Sequence, residues 1–212
     1  MKLYSRWQNS AGERVRIALN LKGLDYAYVP AASLPPGEYQ RINPQALLPT
    51  LEVDGGFVAQ SGAILEYLEE THPEPALLPA EPFFRAQVRS FGNYVASEMH
   101  AVTVTRIRKH LADEFGANDE MVTEWVRHWL GIGMAALEAM LERRETAWPF
   151  CYGEAPGWAE VHLVPQIGNA RRFGVDMGRF PLLSGVEARC AALPAFQKAR
   201  PDAQIDYPSE GT

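Results

Sequence analysis

The chain has 212 residues, which is enough for one large domain or for two small ones. Its net charge of −6 argues against nucleic acid or an anionic membrane as a general partner. No apolar run is long enough to span a bilayer, and the first ten residues lack the apolar core of a signal peptide. The two cysteines, Cys151 and Cys190, lie far apart, which fits a reducing compartment. We therefore expect a cytoplasmic protein that binds neither nucleic acid nor a membrane.

The first eighty residues alternate strands with helices. A helix is predicted to start near Ala11 and to end at Lys22-Gly23, and a second helix to start at Ser61 as its cap. Asp54-Gly55-Gly56 is a strong hairpin signal. Strands are predicted at Lys2–Ser5 and at residues 26–29, 50–53 and 57–59. This pattern indicates a mixed α/β domain over residues 1–80.

The turn between the first strand and the first helix carries the first chemical signal. Ser10 followed by Glu13 forms a capping-box pattern, in which the hydroxyl accepts from a backbone N–H and the glutamate reaches back to the cap. A helix that starts directly after a strand offers unpaired N–H donors and the positive end of its dipole. Such a helix start suits an anion, for example a thiolate.

The composition changes after the proline-rich segment at residues 73–82. Strand patterns stop there, and only helical periodicity remains. Helices are predicted at residues 83–115, 117–145, 158–173, 183–192 and 194–200, followed by an extended tail. A mixed α/β unit followed by an all-helical unit over residues 85–212 is the simplest interpretation.

Five segments in this order resemble the glutathione transferase family, and within it the zeta class, which includes maleylacetoacetate and maleylpyruvate isomerases. The segments are RVRIALNLKG (14–23), INPQALLPTL (42–51), QSGAILEYLEE (60–70), PALLP (75–79) and HLVPQIGNARRFGVD (162–176). The resemblance implies an α/β thioredoxin-like N-terminal domain plus an all-α C-terminal domain. It also implies a homodimer that binds glutathione near the domain interface and acts on a small molecule.

The resemblance assigns the glutathione contacts residue by residue. Pro49 corresponds to a cis-proline, and the backbone of Leu48 to a contact with the cysteinyl part of glutathione. Gln60 and Ser61 correspond to the pair that holds the γ-glutamyl end, where a helix start meets a carboxylate. In the alternative interpretation Ser61 is only a helix cap and Gln60 only a strand end. His100 has a counterpart in the bacterial isomerases and joins the expected glutathione contacts.

The first turn departs from the zeta pattern. The serine credited in that class with activating the thiol is Asn9 here, and the cysteine is Ala11. An asparagine amide can still donate a hydrogen bond to a thiolate, so Asn9 is one candidate catalytic residue. Ser10 is the other, either as a donor to the thiolate or as the cap. The residues leave open which of the two meets the sulfur.

The isomerase substrates carry carboxylates, which arginine binds with two parallel hydrogen bonds. The resemblance points to Arg106 and Arg172 for this role, although chemistry does not separate Arg172 from Arg171. We expect His100 and Arg106 to share one face of the helix at residues 83–115. Gln8 occupies the position of an expected basic residue and removes one anion contact.

Three hypotheses follow for the function. The leading one is a glutathione-dependent cis–trans isomerase of a maleyl-type dicarboxylate. The second is a transferase that conjugates glutathione to a less anionic electrophile, and the third is a glutathione-binding protein without catalysis. The five histidines share no metal-ligand spacing with each other, and no cysteine is grouped with them, so we expect no metal site.

Overall fold

The computed structural model describes residues 1–208. The described chain forms two compact units. One comprises Met1–Leu77 together with the described part of the C-terminal segment from Ala191, and the other comprises Leu78–Cys190.

The first unit contains a mixed sheet of four strands. The strands lie in the order β2-β1-β3-β4, with β1 parallel to β2 and antiparallel to β3, and with β3 antiparallel to β4. The turn from β3 to β4 places Asp54 and Gly55 at positive φ, which confirms the predicted hairpin. The strands are β1 (Lys2–Ser5), β2 (Ala27–Pro30), β3 (Thr50–Val53) and β4 (Gly56–Ala59).

Three helices accompany this sheet within residues 1–77: α1 (Ser10–Leu21), α2 (Glu38–Ile42) and α3 (Ser61–Thr71). α1 and α3 pack against each other, and Val15, Ile17, Ile64 and Leu68 of these two helices are fully buried. Each such side chain stabilises the fold by about 1.5–3 kcal/mol on burial. The predicted α/β thioredoxin-like architecture is confirmed.

The second unit is helical over its described residues, and it confirms the all-α expectation. Its core includes Phe91, Val95, Met99 and Leu130, which are almost fully buried. Its helices are α4 (Pro82–Asn93), a π-helical segment (Tyr94–His100), α5 (Thr105–Phe115), α6 (Asp119–Glu142), α7 (Trp158–Arg172) and α8 (Pro181–Ala191).

The prediction of one continuous helix over residues 83–115 is wrong. The π-helical segment ends at His100, and Val104 is extended, with φ −67° and ψ 159°. The sequence from Val102 to Thr105 is a run of β-branched residues, which disfavours a helix interior. The Thr103 hydroxyl also donates to the carbonyl of Met99 (2.8 Å) and so closes the preceding segment.

The C-terminal segment packs on the α/β unit. Its short helix α9 (Pro194–Ala199) lies against α1, where Arg16 Nε donates to the Ala199 carbonyl at 2.9 Å. Asn20 donates to the carbonyl of Ala195 at 2.8 Å. The sequence predicts that this segment belongs to the all-helical unit of residues 85–212, but its hydrogen-bond partners lie on α1 of the first unit. Within residues 1–208 no helix has both the length and the apolar content needed to cross a membrane.

Candidate functional site

Three candidate segments leave the sheet of the first unit at the same end. Tyr4 of β1 lies opposite Thr50 of β3, and Thr50 lies opposite Ala59 of β4. The same edge of the sheet therefore meets three connections: the turn after β1, the loop before β3 and the turn after β4. These segments carry the residues that the sequence assigned to glutathione, namely Asn9, Ser10, Leu48, Pro49, Gln60 and Ser61.

Asn9 is the N-cap of α1, so the predicted capping box at Ser10 is wrong. Asn9 is extended, with φ −140° and ψ 101°, and its side-chain oxygen accepts from the backbone N–H of Gly12. Ser10 is already the first helical residue. Asparagine and serine cap helices about equally well, so the sequence alone did not decide between neighbouring candidates. The cap occupies only the oxygen of the Asn9 amide, and its nitrogen keeps two hydrogens with which it can donate.

Gly12 allows α1 to lie close to β1. A Cβ at this position would lie 2.0 Å from the hydroxyl oxygen of Ser5, too close for any side chain. The helix start is therefore held directly against the end of the first strand.

The C-terminal segment holds the loop that leads to Asn9. The Trp7 N–H donates to the Asp206 carboxylate at 3.0 Å, and the Tyr28 hydroxyl donates to the same carboxylate at 2.9 Å. The rings of Trp7 and Tyr207 meet edge to face with centroids 5.1 Å apart. Sequence reasoning predicted only an extended tail there, and no local pattern signals a contact across nearly two hundred residues.

The loop before β3 has the predicted cis bond between Leu48 and Pro49. Two side chains hold the backbone directly before this bond. The hydroxyl of Tyr39 and the amide of Asn43 both donate to the carbonyl of Leu47, at 2.7 and 2.8 Å. These bonds leave the backbone of this loop with a defined shape at the end of the sheet.

Gln60 holds an unusual backbone conformation directly before α3. Its φ of 72° with ψ of 122° is rarely adopted by a residue with a side chain, and such positions cluster at binding sites. Gln60 occupies the N-cap position and Ser61 is the first helical residue, so the prediction of Ser61 as the cap is wrong. The Gln60 amide donates to the side-chain oxygen of Gln45. Ser61 is almost buried, and its hydroxyl oxygen accepts from Arg14 Nη1 at 3.4 Å.

Three charged residues of α1 are buried. α1 contributes Glu13, Arg14 and Arg16, all at most 9% exposed. Burial raises the pKa of Glu13 to about 7 and lowers the pKa of Arg14 to about 10. The sequence predicted no role for these buried side chains, although three charges within the apolar pattern of α1 are a signal for a buried polar site.

The candidate residues of the second unit lie on separate helices. His100 ends the π-helical segment and Arg106 lies on α5 beyond the break, so the prediction that they share one helix face is wrong. Arg106 is exposed. Arg108 and Arg172 both stack on the ring of Phe173, at 5.2 and 4.8 Å from its centroid.

The structure separates Arg171 from its neighbour. Arg171 Nε donates to the carboxylate of Glu187 at 3.3 Å, and this ion pair raises the pKa of Arg171. Arg172 donates to the side-chain oxygen of Asn169 at 3.1 Å. Among residues 1–208, no group of three histidine, cysteine, aspartate or glutamate side chains is arranged to hold a metal ion.

Comparison with known proteins identifies the family. Residues 8–76 match the model of the glutathione S-transferase N-terminal domain. Maleylpyruvate isomerase from Ralstonia is 40% identical over 97% of this chain and 99% of its own. Maleylacetoacetate isomerase from Pseudomonas aeruginosa is 40% identical over 99% of this chain and 100% of its own.

Two solved structures extend the comparison to the fold. A holo structure of maleylpyruvate isomerase, described as a bacterial zeta-class glutathione S-transferase, superposes with a TM-score of 0.93 at 39% identity, covering 98% of this chain and 100% of that one. Maleylacetoacetate isomerase from Anaeromyxobacter dehalogenans, solved with glutathione in its active site, gives 0.86 at 40% identity over 98% and 97% of the two chains. The chain therefore belongs to the glutathione S-transferase family, and within it to the zeta class.

Proposed function

We propose that this protein is a glutathione-dependent enzyme that isomerises a maleyl-type dicarboxylate, maleylpyruvate or maleylacetoacetate, to its fumaryl form. The observation that carries the proposal is the similarity to isomerases of both substrates along nearly the whole chain, at 40% identity. The first turn supports it, because it combines a helix start with an asparagine amide that has hydrogens to donate.

The reaction begins with the glutathione thiolate. The sulfur adds to one carbon of the cis double bond, and the electron pair of that bond moves into the adjacent carbonyl to give an enolate. The former double bond is now single and rotates. The enolate then collapses, the carbon–sulfur bond breaks, and the trans product leaves with glutathione regenerated. No proton or electron is gained or lost overall.

The chain must first stabilise the thiolate. A free thiol has a pKa of about 8.5, so only a few per cent is ionised at neutral pH. In the proposed site Asn9 Nδ2, the Ser10 hydroxyl or both donate to the sulfur at the positive end of α1. The backbone of Leu48 beside Pro49 holds the cysteinyl part, Gln60 and Ser61 hold the γ-glutamyl end, and His100 adds a further contact with glutathione.

The substrate carboxylates and the enolate need positive charge. Arg106 and Arg172 supply it in this proposal, because the similarity to the maleyl isomerases points to these two positions. Both side chains are exposed arginines that can form a planar pair of hydrogen bonds with a carboxylate. Gln8 contributes a neutral amide at the first turn.

A second candidate function follows from that neutral amide. Gln8 beside Trp7 makes the first turn less cationic and more apolar, which favours a less anionic electrophile and conjugation without release of glutathione. A third candidate, glutathione binding without catalysis, rests on the presence of Asn9 and Ala11 where the class has serine and cysteine.

One assay separates the three candidates. Purified protein is mixed with glutathione and either maleylpyruvate or maleylacetoacetate, and both the fumaryl product and the free thiol are measured. We expect product to form with the thiol concentration unchanged. Loss of one thiol per turnover, with one of these substrates or with a less anionic electrophile, supports the transferase. Absence of turnover with every one of these compounds, despite glutathione binding, supports the third candidate.

We further propose that the protein is a cytoplasmic homodimer. The two free cysteines are buried and unpaired, in keeping with a reducing compartment. Phe57 on β4 is 51% exposed, which offers an apolar side chain for an interface. Light scattering coupled to gel filtration tests the dimer, for which the expected mass is twice the 23.6 kDa of one chain.

A further inference from the structure

Two arginines of α1 are equally buried but differ in their surroundings. Arg16 is 0% exposed and donates to three backbone carbonyls, those of Ala199 (2.9 Å), Trp7 (3.3 Å) and Arg6 (3.4 Å). Arg14 is 1% exposed and donates one long hydrogen bond, from Nη1 to the Ser61 hydroxyl at 3.4 Å. Within residues 1–208, Arg14 Nε and Nη2 are buried without a hydrogen-bond partner.

The positive charge of Arg14 is also not balanced by a neighbour. Its pKa is lowered by burial to about 10, so the guanidinium remains protonated at neutral pH. Glu13 does not compensate it fully, because burial raises the pKa of that carboxyl to about 7. No acidic side chain in the described chain forms an ion pair with Arg14. A buried cation with unused donors is costly unless an anion meets it.

The one bond that Arg14 makes shows where its charge acts. Ser61 is the first residue of α3, where backbone N–H groups lack partners within the helix. The Ser61 oxygen accepts from Arg14, so the hydroxyl hydrogen is directed away from Arg14 and is available to donate. The hydroxyl, the helix start and the buried guanidinium together select a negatively charged group.

We propose that Arg14 is a positioning residue for glutathione. It fixes the Ser61 hydroxyl as a donor and places a buried positive charge behind the start of α3, where the α-carboxylate of the γ-glutamyl residue binds. This role rests on the proposed function, since it requires that glutathione is the ligand.

Calorimetry with two ligands tests the proposal. Glutathione is compared with γ-aminobutyryl-cysteinylglycine, which lacks only that α-carboxylate. We expect the unchanged protein to prefer glutathione about 10- to 100-fold, which is typical of a hydrogen bond to a charged group. Arg14→Gln should remove at least tenfold of this preference, and Arg14→Lys should restore most of it because the charge returns.

Arg16→Gln is the matched control, because it removes an equally buried arginine from the same helix. It should leave the preference between the two ligands unchanged, whatever it does to overall stability. In turnover, Arg14→Gln should raise the KM for glutathione and leave kcat at saturating glutathione nearly unchanged. An unchanged preference in Arg14→Gln, or an equal loss of affinity for both ligands, overturns the role of Arg14. Failure of the unchanged protein to bind glutathione overturns the proposed function instead.

A measurement on the unchanged protein covers the case in which the variants do not fold. The Nε–H resonance of Arg14 in the nitrogen-15 spectrum should shift on addition of glutathione, and should shift much less with the analogue. The resonance of Arg16 should respond equally to both. Equal responses of Arg14 to the two ligands contradict the proposal.

Discussion

Replacing Asn9 by aspartate should separate the structural role of this residue from its chemical role. The Asn9 side-chain oxygen caps α1 by accepting from Gly12, and an aspartate carboxylate can accept the same hydrogen bond. Aspartate, however, has no N–H to donate, and it brings a negative charge to the place proposed for the glutathione sulfur. Stability and thiol activation should therefore respond differently to Asn9→Asp.

The magnitudes follow from the two roles. The cap should survive, and the negative charge at the helix start should add about 0.3–1 kcal/mol of stability. A hydrogen bond to a charged acceptor is worth about 1.5–3 kcal/mol, and each pKa unit corresponds to about 1.4 kcal/mol, so losing the donor raises the thiol pKa by about 1–2 units. Charge repulsion acts in the same direction. If the bound thiol of the unchanged protein has a pKa of about 7, this rise alone should lower its ionised fraction at pH 7 by about 5- to 50-fold.

Three measurements check this expectation. Thiolate absorbance at 240 nm gives the pKa of bound glutathione, the pH profile of kcat/KM gives the same ionisation during turnover, and denaturant unfolding gives stability. Asn9→Ala should lose about 1 kcal/mol of stability and the donor together. Asn9→Ser should retain both, and Ser10→Ala isolates the second candidate donor.

An unchanged thiol pKa of glutathione bound to Asn9→Asp, together with full activity at pH 7, would refute the donor role of Asn9. A raised pKa in Ser10→Ala alone would assign the donor to Ser10 and leave Asn9 as a cap only. A loss of about 2 kcal/mol of stability in Asn9→Asp would show that the cap itself was misjudged.

Three further predictions concern the same unit of the chain. Gln60→Gly should be more stable than Gln60→Ala by about 1–3 kcal/mol, because only glycine relieves the positive φ of 72°; equal unfolding free energies would remove the case for strain. Glu69→Gln should destabilise by about 3–5 kcal/mol, because it leaves the fully buried Lys22 ammonium, 2.8 Å away, without its charge partner; loss of the exposed Lys2 ion pair should cost less than about 1 kcal/mol, measured by denaturant unfolding. Burial raises the pKa of Glu13 to about 7, so the folded state binds more protons than the unfolded state between about pH 4.5 and 7. The free energy of unfolding therefore falls as the pH rises through this window. Glu13→Gln should remove about 3 kcal/mol of that decline, and parallel pH profiles of the two proteins would contradict this.

Local signals predicted the elements that depend on local chemistry. The hairpin at Asp54-Gly55 needs residues that tolerate positive φ, and the sequence supplies them in the required place. The strands and α1 follow from periodicity and end within one residue of the structure at most positions. The cis bond at Pro49 came from the resemblance, because periodicity carries no information about peptide isomers.

The misjudged helix starts have a common cause. At both α1 and α3 the structure places the cap one residue before the predicted one, at Asn9 instead of Ser10 and at Gln60 instead of Ser61. Capping propensity ranks residue types but does not fix which of two neighbours turns extended. At α3 the cap residue, Gln60, has a positive φ. Side-chain propensity disfavours this conformation, so the tertiary structure must enforce it.

Nonlocal contacts account for the features of the site that the sequence did not predict. Nothing near Asp206 in sequence indicates that its carboxylate accepts from Trp7 and Tyr28, yet these bonds anchor the loop that leads to the candidate catalytic turn. The same applies to Arg14, whose bond to Ser61 joins residues 47 positions apart. Such contacts form only when the sheet brings distant segments together, so the pattern along the chain does not contain them.

The two departures in the first turn have one chemical consequence. Ala11 is 5% exposed, so the chain offers a small buried methyl group where the zeta class carries a cysteine. The two cysteines of the chain, Cys151 and Cys190, are both fully buried in the second unit, and burial raises the pKa of each thiol. Neither is a nucleophile at neutral pH, because the thiolate is the reactive form. In the proposed reaction the only reactive sulfur is that of glutathione, and the demand on Asn9, Ser10 and the start of α1 is to ionise it.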